Sequence, residues 1–212
     1  MLFRSLENNL KNYEIRGTII ISSEGVNGTI SDKKNNLLKF NKLLKKILSI
    51  KKFNSENNSN SKFNPFHKLK IKIKKEVVPM GFKVRNYNFP KNNLNPREWN
   101  KIIKKKDTVL IDARKSFEYD VGTFKKSLNP NIENFREFPK YLNQFKNSEN
   151  IAMFCTGGIR CEKANIYLKK KGFKNVYVLK GGIINYLNNI NKKNSQWNGE
   201  CRSEEHTSEL QS

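Results

Sequence analysis

Three short apolar runs constrain this chain more than any other feature: "DTVLIDAR" (107–114), "NIAMFC" (150–155) and "NVYVL" (175–179). Each has the length and β-branched content of a buried strand. Between the first two, "NFREFPKYLNQF" reads as helical, begun or interrupted near Pro139. "RCEKANIYLKKKGF" reads as a helix ended by Gly172, and "GGIINYLNNINKK" as a final helix. Strands that alternate with helices predict a parallel sheet with helices on both faces.

The first 75 or so residues read differently. "GTIIISSEGVNGTIS" (17–31) predicts two strands around a turn near Glu24. In "SDKKNNLLKFNKLLKKILSI", Leu37, Leu38, Phe40, Leu43, Leu44, Ile47 and Leu48 recur at helical spacing, with Ser31 or Asp32 as the cap. "KLKIKIKKEVV" alternates apolar and basic residues, the pattern of a half-exposed strand with one cationic face. "LFRSLENNLKNY" predicts a preceding helix, and "NSENNSNSKFN" a polar loop. The sum is a small α+β domain over 1–88, with a first strand expected upstream of Met1. A linker over 89–100 follows, where Asn95 caps a helix begun at Pro96. The α/β domain covers 101–192, and 193–201 begins a C-terminal region expected to continue past Cys201. The last residues, "RSEEHTSELQS" (202–212), contain no Lys or Asn and resemble a translated sequencing adapter, so they are set aside.

Lys and Arg number 42 against 19 Asp and Glu, a formal charge of +23. That field attracts polyanions such as RNA; low-GC codon bias explains it equally well. The cysteines are Cys155, Cys161 and Cys201. An odd number without a secretory apolar segment points to a reducing compartment, the cytoplasm, and away from a disulfide framework. No run is long enough to span a bilayer. His67 has no second His or close Cys pair beside it, so no metal site is expected, and no G-x-G-x-x-G follows a strand to mark a nucleotide cofactor.

"FCTGGIRCEK" (154–163) carries the chemistry. A strand that ends at Cys155 and a helix that begins near Arg160 place a thiol at the carboxyl end of a parallel sheet. The helix N-terminus directs backbone N–H groups and positive potential at the loop, while Gly157 and Gly158 permit unusual backbone angles. That environment favours a thiolate on Cys155. Thr156, Gly157, Gly158 and Ile159 are the residues between Cys155 and Arg160, a cradle suited to sulfur or a small adduct rather than a phosphate. Cys161 is either a resolving thiol or a packing residue. Asp112, Arg114 and Glu118 are expected mainly as framework near the site, and Glu24, Asn27 and Gly28 as a hairpin turn or as an RNA or interdomain contact. The basic and aromatic mixture in "FHKLKIKIKK" and "MGFKVRNYNFPK" suits single-stranded RNA or an ordinary solvated strand face.

"VLIDARKSFEYDVGTFKKSLNP" and "FCTGGIRCEKA" resemble the opening and the active-site loop of a rhodanese domain. Together with "SSEGVNGTIS", "NPREWN", "FREFP", "GGIINYL" and "WNGEC", they resemble the bacterial tRNA uridine hydroxylase family from about Glu14 to Cys201. The resemblance implies a ferredoxin-like domain before the rhodanese domain. It implies oxygen-dependent conversion of the wobble uridine (position 34) to 5-hydroxyuridine, with Cys155 as the active cysteine. Molecular oxygen is then the co-substrate with no further cofactor evident, and the tRNA anticodon loop is the partner. A persulfide-carrying sulfurtransferase is the alternative that the same loop supports.

Overall fold

The structure is a computed structural model that describes residues 14–58, 64–84 and 92–201, with the backbone of 208–211. The helix expected over 2–13 and the aromatic residues of 85–91 lie outside the described residues. The chain divides into two compact units between Val77 and Val78, with Ser208–Gln211 joining the first.

In the first unit, β1 (Arg16–Ser22) and β2 (Gly25–Ser31) form an antiparallel hairpin in which Ile20 faces Asn27. Their alternation puts Ile19, Ile21, Val26 and Ile30 on one face, where α1 (Lys34–Ile47) covers them with Phe40 and Leu44. Burying each of these side chains contributes about 1.5–3 kcal/mol, which fixes the register, since a slip of one residue would turn the apolar set to solvent. Neither Ser31 nor Asp32 caps α1. Lys33 occupies that position, Asp32 instead accepts from the Asn36 amide at 3.0 Å, and the Ser31 hydroxyl bonds Asn64 at 2.5 Å.

A short strand, β3 (Ser55–Asn57), interrupts what the sequence predicts as loop. β4 (Leu69–Ile73) pairs parallel to β1 at the sheet edge, with Lys70 and Lys72 exposed as the alternation requires. Ser208–Gln211, set aside on composition, pairs its backbone between β2 and β3.

The second unit runs β5 (Asn93–Leu94), α2 (Pro96–Ile102), β6 (Thr108–Asp112), α3 (Ser116–Val121), β7 (Gly122–Phe124), α4 (Phe138–Leu142), β8 (Asn150–Phe154), α5 (Ile159–Lys170), β9 (Val176–Leu179), α6 (Gly182–Asn189) and β10 (Trp197–Gly199). Its four-stranded sheet is parallel throughout, in the order β5-β9-β8-β6, and β7 and β10 form a separate antiparallel pair. Asn95 and Glu98 form a capping box at α2, with Pro96 in the first turn. The segment expected as linker therefore supplies a strand and a helix of this unit.

Alternate residues of β8 feed two cores. Ile151 and Met153 join Phe138, Leu142 and Leu168 on one face, while Ala152 and Phe154 join Trp99, Ile183 and Tyr186 on the other. Helices thus cover both faces, as the alternation of element types demands. Val78–Val84, read from the sequence with the first domain, packs in this unit. Met80 is buried in its core, Phe82 meets Tyr167 edge-on at 5.4 Å, and the Lys163 ammonium donates to the Val78 carbonyl at 2.8 Å.

Candidate active site

β8 ends at Phe154 and α5 begins at Ile159, so the loop is four residues long and starts with Cys155. Strand and helix directions then leave the Cys155 sulfur at the carboxyl edge of the sheet, against the first turn of α5. Gly158 N–H donates to that sulfur at 3.1 Å. Gly158 achieves this with φ of 102°, in the region that side chains disfavour. Gly157 shares its burial but not a positive φ, so only one of the two glycines carries the conformational role expected of both.

The loop carbonyls are tied from outside. Ile183 N–H donates to the Cys155 carbonyl at 3.0 Å and Ile184 N–H to that of Thr156 at 3.2 Å. The first turn of α6 can approach this closely because Gly182 has no side chain: a Cβ there would lie 2.2 Å from the Thr156 oxygen. Anchoring the carbonyls outward leaves the loop's N–H side facing the sulfur.

The Arg160 guanidinium lies 3.4 Å from the Glu118 carboxylate and 3.3 Å from the Thr156 hydroxyl. Thr156 donates to the other Glu118 oxygen at 3.2 Å, and Lys115 N–H also donates to Glu118 at 3.2 Å. A closed ring of Glu118, Thr156 and Arg160 therefore fixes the cation beside the thiol. Burial alone would raise the Glu118 pKa, but Arg160 and the Lys115 N–H bring it below its usual value.

Cys155 is 1% exposed. Burial pushes its thiol pKa up, yet the Cys161 thiol, the Arg160 charge and the N–H groups of Cys161 and Gly158 outweigh that, and the pKa is lowered to about 6. Cys161 goes the other way. Burial raises it well above the ordinary value, and the hydrogen bond to Cys155 adds to the effect. Burial also raises Glu162 to about 7, assisted by the Cys155 charge. The two thiols are thus pushed apart, Cys155 downward and Cys161 upward.

Asp112 and Arg114 stand one layer below, at the end of β6. Their bidentate ion pair spans 2.7 and 2.9 Å and is almost wholly buried. Arg114 further donates to the Gly122 carbonyl at 2.5 Å and lies over Trp197 at 5.2 Å. Thr123 donates to Asp112 at 2.9 Å. This pair locks β6, β7 and β10 together beneath the loop.

The residues from Cys155 to Cys161 and Glu118 thus converge, with Asp112 and Arg114 behind them. Glu24, Asn27, Gly28 and His67 belong to the first unit. Glu24 lies in the turn and accepts from Val77 N–H at 3.1 Å, whereas Asn27 and Gly28 are strand residues of β2 rather than turn residues. Among the described residues, no group of three or more His, Cys, Asp or Glu could hold a metal ion. No helix among them is long and apolar enough to cross a membrane. One participant escaped the sequence analysis: Gly182 was visible only as part of a helix start, and its contact with the loop is one that no spacing encodes.

A rhodanese-like domain profile matches residues 95–189, and a profile described as UPF0176 acylphosphatase like domain matches residues 2–77. The chain is 63% identical over 196 residues to a protein of Pelagibacter ubique (strain HTCC1062) named tRNA uridine(34) hydroxylase, covering 92% of this chain and 65% of that one. A protein of the same name from Prochlorococcus marinus (strain MIT 9312) is 48% identical, over 89% of this chain and 63% of that one. One from Wolbachia sp. subsp. Brugia malayi (strain TRS) is 39% identical, over 90% of this chain and 71% of that one. The chain therefore spans somewhat under two thirds of the first two relatives.

Proposed function

The chain belongs to the tRNA uridine(34) hydroxylase family, and from that premise we propose that it converts the wobble uridine of tRNA to 5-hydroxyuridine with molecular oxygen, in the cytoplasm. The observation that carries the reading is the Cys155 thiol, buried yet lowered to about 6 by the cradle of N–H groups, the Cys161 thiol and Arg160. A thiolate is the form in which cysteine attacks an electrophile. Added to C6 of uracil, it builds electron density at C5, the carbon that receives oxygen. One oxygen atom enters the base, and two electrons with two protons from a donor carry the second away as water. The loop N–H groups and Arg160 stabilise negative charge as the sulfur is released. A wobble base is unpaired in the anticodon loop, so drawing it out costs little. The relatives' shared name supports this reading over a persulfide carrier.

The test is nucleoside mass spectrometry of tRNA from a host that lacks its own hydroxylase and expresses this chain. 5-Hydroxyuridine is expected at position 34. Its absence, with soluble protein and oxygen present, would reject the reading.

The outer face of the first unit's sheet offers phosphate contacts. Register places Lys70 beside Thr18 and Lys72 beside Ile20, on the face opposite Ile19 and Ile21. Exposed Arg16 extends the same face. Removing all three charges by substitution with alanine should weaken binding of an anticodon stem-loop. It should also flatten the plot of log affinity against log salt by about two units, from roughly 0.7 per phosphate on single strands. An unchanged slope in filter binding would place the RNA elsewhere.

A further inference from the structure

Phe117 of α3 is 59% exposed and joins neither core of the second unit. Among the described residues it is the one exposed aromatic side chain; the others are buried or half-buried. A lone apolar side chain at a surface is ordinary. Its place beside the reactive loop makes this one informative. The next residue, Glu118, lies 3.4 Å from the Arg160 guanidinium and accepts from the Thr156 hydroxyl at 3.2 Å. We propose that Phe117 is a stacking platform for the nucleobase adjacent to the reacting uridine. The inference rests on the reading of the chain as a hydroxylase of the wobble uridine.

Neighbouring contacts fix which way the ring turns. Ser116 donates to Asn131 at 3.0 Å, and the Tyr119 hydroxyl donates to the Ser127 carbonyl at 2.9 Å. Successive helical residues are about 100° apart. With Ser116, Glu118 and Tyr119 all held against the protein, Phe117 takes the outward side of α3, next to Glu118. Its surroundings suit RNA rather than an apolar protein partner. Lys115, Ser116, Glu118 and Asp120 flank it with polar groups, Lys115 and Asp120 are exposed, and the Arg160 side chain is 25% exposed. The cations, Lys115 and Arg160, favour phosphate, while the ring offers a flat face to a base. A base drawn into the loop leaves its neighbour in the strand without a stacking partner. Phe117 restores that contact and offsets part of the cost of extrusion.

Filter binding of an anticodon stem-loop RNA by the full chain tests this. Phe117→Ala should weaken binding about tenfold, the size expected for one base stacked on one ring. The slope of log affinity against log salt should stay unchanged, because no phosphate contact is lost. Phe117→Trp should bind as tightly as the unsubstituted chain. Phe117→Leu should bind as weakly as Phe117→Ala, since an apolar side chain without a ring cannot stack. An abasic nucleotide placed directly before or directly after the wobble uridine should, at one of the two positions, erase the difference between the unsubstituted chain and Phe117→Ala. The proposal is overturned if Phe117→Ala or Phe117→Leu binds as tightly as the unsubstituted chain, if the salt slope changes, or if the difference survives both abasic RNAs. Should Phe117→Ala fail to fold, the contrast between Phe117→Leu and Phe117→Trp decides. An unsubstituted chain that does not bind the stem-loop also overturns the proposal, and the hydroxylase reading falls with it only if 5-hydroxyuridine is absent from tRNA as well.

Discussion

Cys155→Ala should lower 5-hydroxyuridine formation by roughly 10³-fold or more, the loss typical when a nucleophile is removed and only binding remains. The substitution deletes one buried sulfur and leaves every backbone donor of the loop in place. Free cysteine packs as a small hydrophobe, so the void costs only about 1 kcal/mol of stability. Cys155→Ser should be as inactive, because a hydroxyl does not ionise near neutral pH even in this cradle. Both variants should still bind tRNA. Liquid chromatography with mass spectrometry of digested tRNA, normalised to protein level, gives the answer. Activity within tenfold of the unsubstituted chain in either variant would show that the sulfur is a bystander and that oxygen reacts elsewhere.

Asp112→Ala should cost the second unit about 3–5 kcal/mol. Removing the carboxylate strips the buried Arg114 of its bidentate partner. The Gly122 carbonyl and the Trp197 ring remain, but neither carries a full charge. The Thr123 hydroxyl also loses its acceptor. Urea unfolding, followed by a probe in the second unit, should show a lower midpoint with an unchanged slope. Replacing both partners together should cost less than Asp112→Ala alone, since the stranded charge disappears with it. A midpoint unmoved by Asp112→Ala would mean that Arg114 reaches water or another partner once the carboxylate is gone.

The layered architecture was legible because its signals are local. The apolar runs at 109–111, 151–154 and 176–179 can be buried only between two layers, and the Gly172 and Asn95 punctuation set helix ends. Asn93–Leu94 was not legible. Two residues carry no period, and they become a strand only because β9 has a free edge beside them. Ser31 and Asp32 look like helix caps in sequence, but both side chains find other partners, Asn64 and Asn36. The loop itself could be read from its glycines and its position between strand and helix. Its outer brace could not, since the contact of Gly182 with Thr156 joins segments far apart in the chain.

The near-complete burial of Cys155 makes the loop a sieve graded by reagent size. A sulfur that is 1% exposed excludes a reagent as large as oxidised glutathione, and only molecules as small as dioxygen, hydrogen peroxide or hydrogen sulfide have a size compatible with reaching it. The thiol would therefore survive disulfide stress that modifies surface cysteines such as the half-exposed Cys201, and succumb to peroxide. Under the proposed function, a pyrimidine ring could meet a sulfur that is 1% exposed only if the loop yields, so that uncovering the sulfur and seating the base would be a single event.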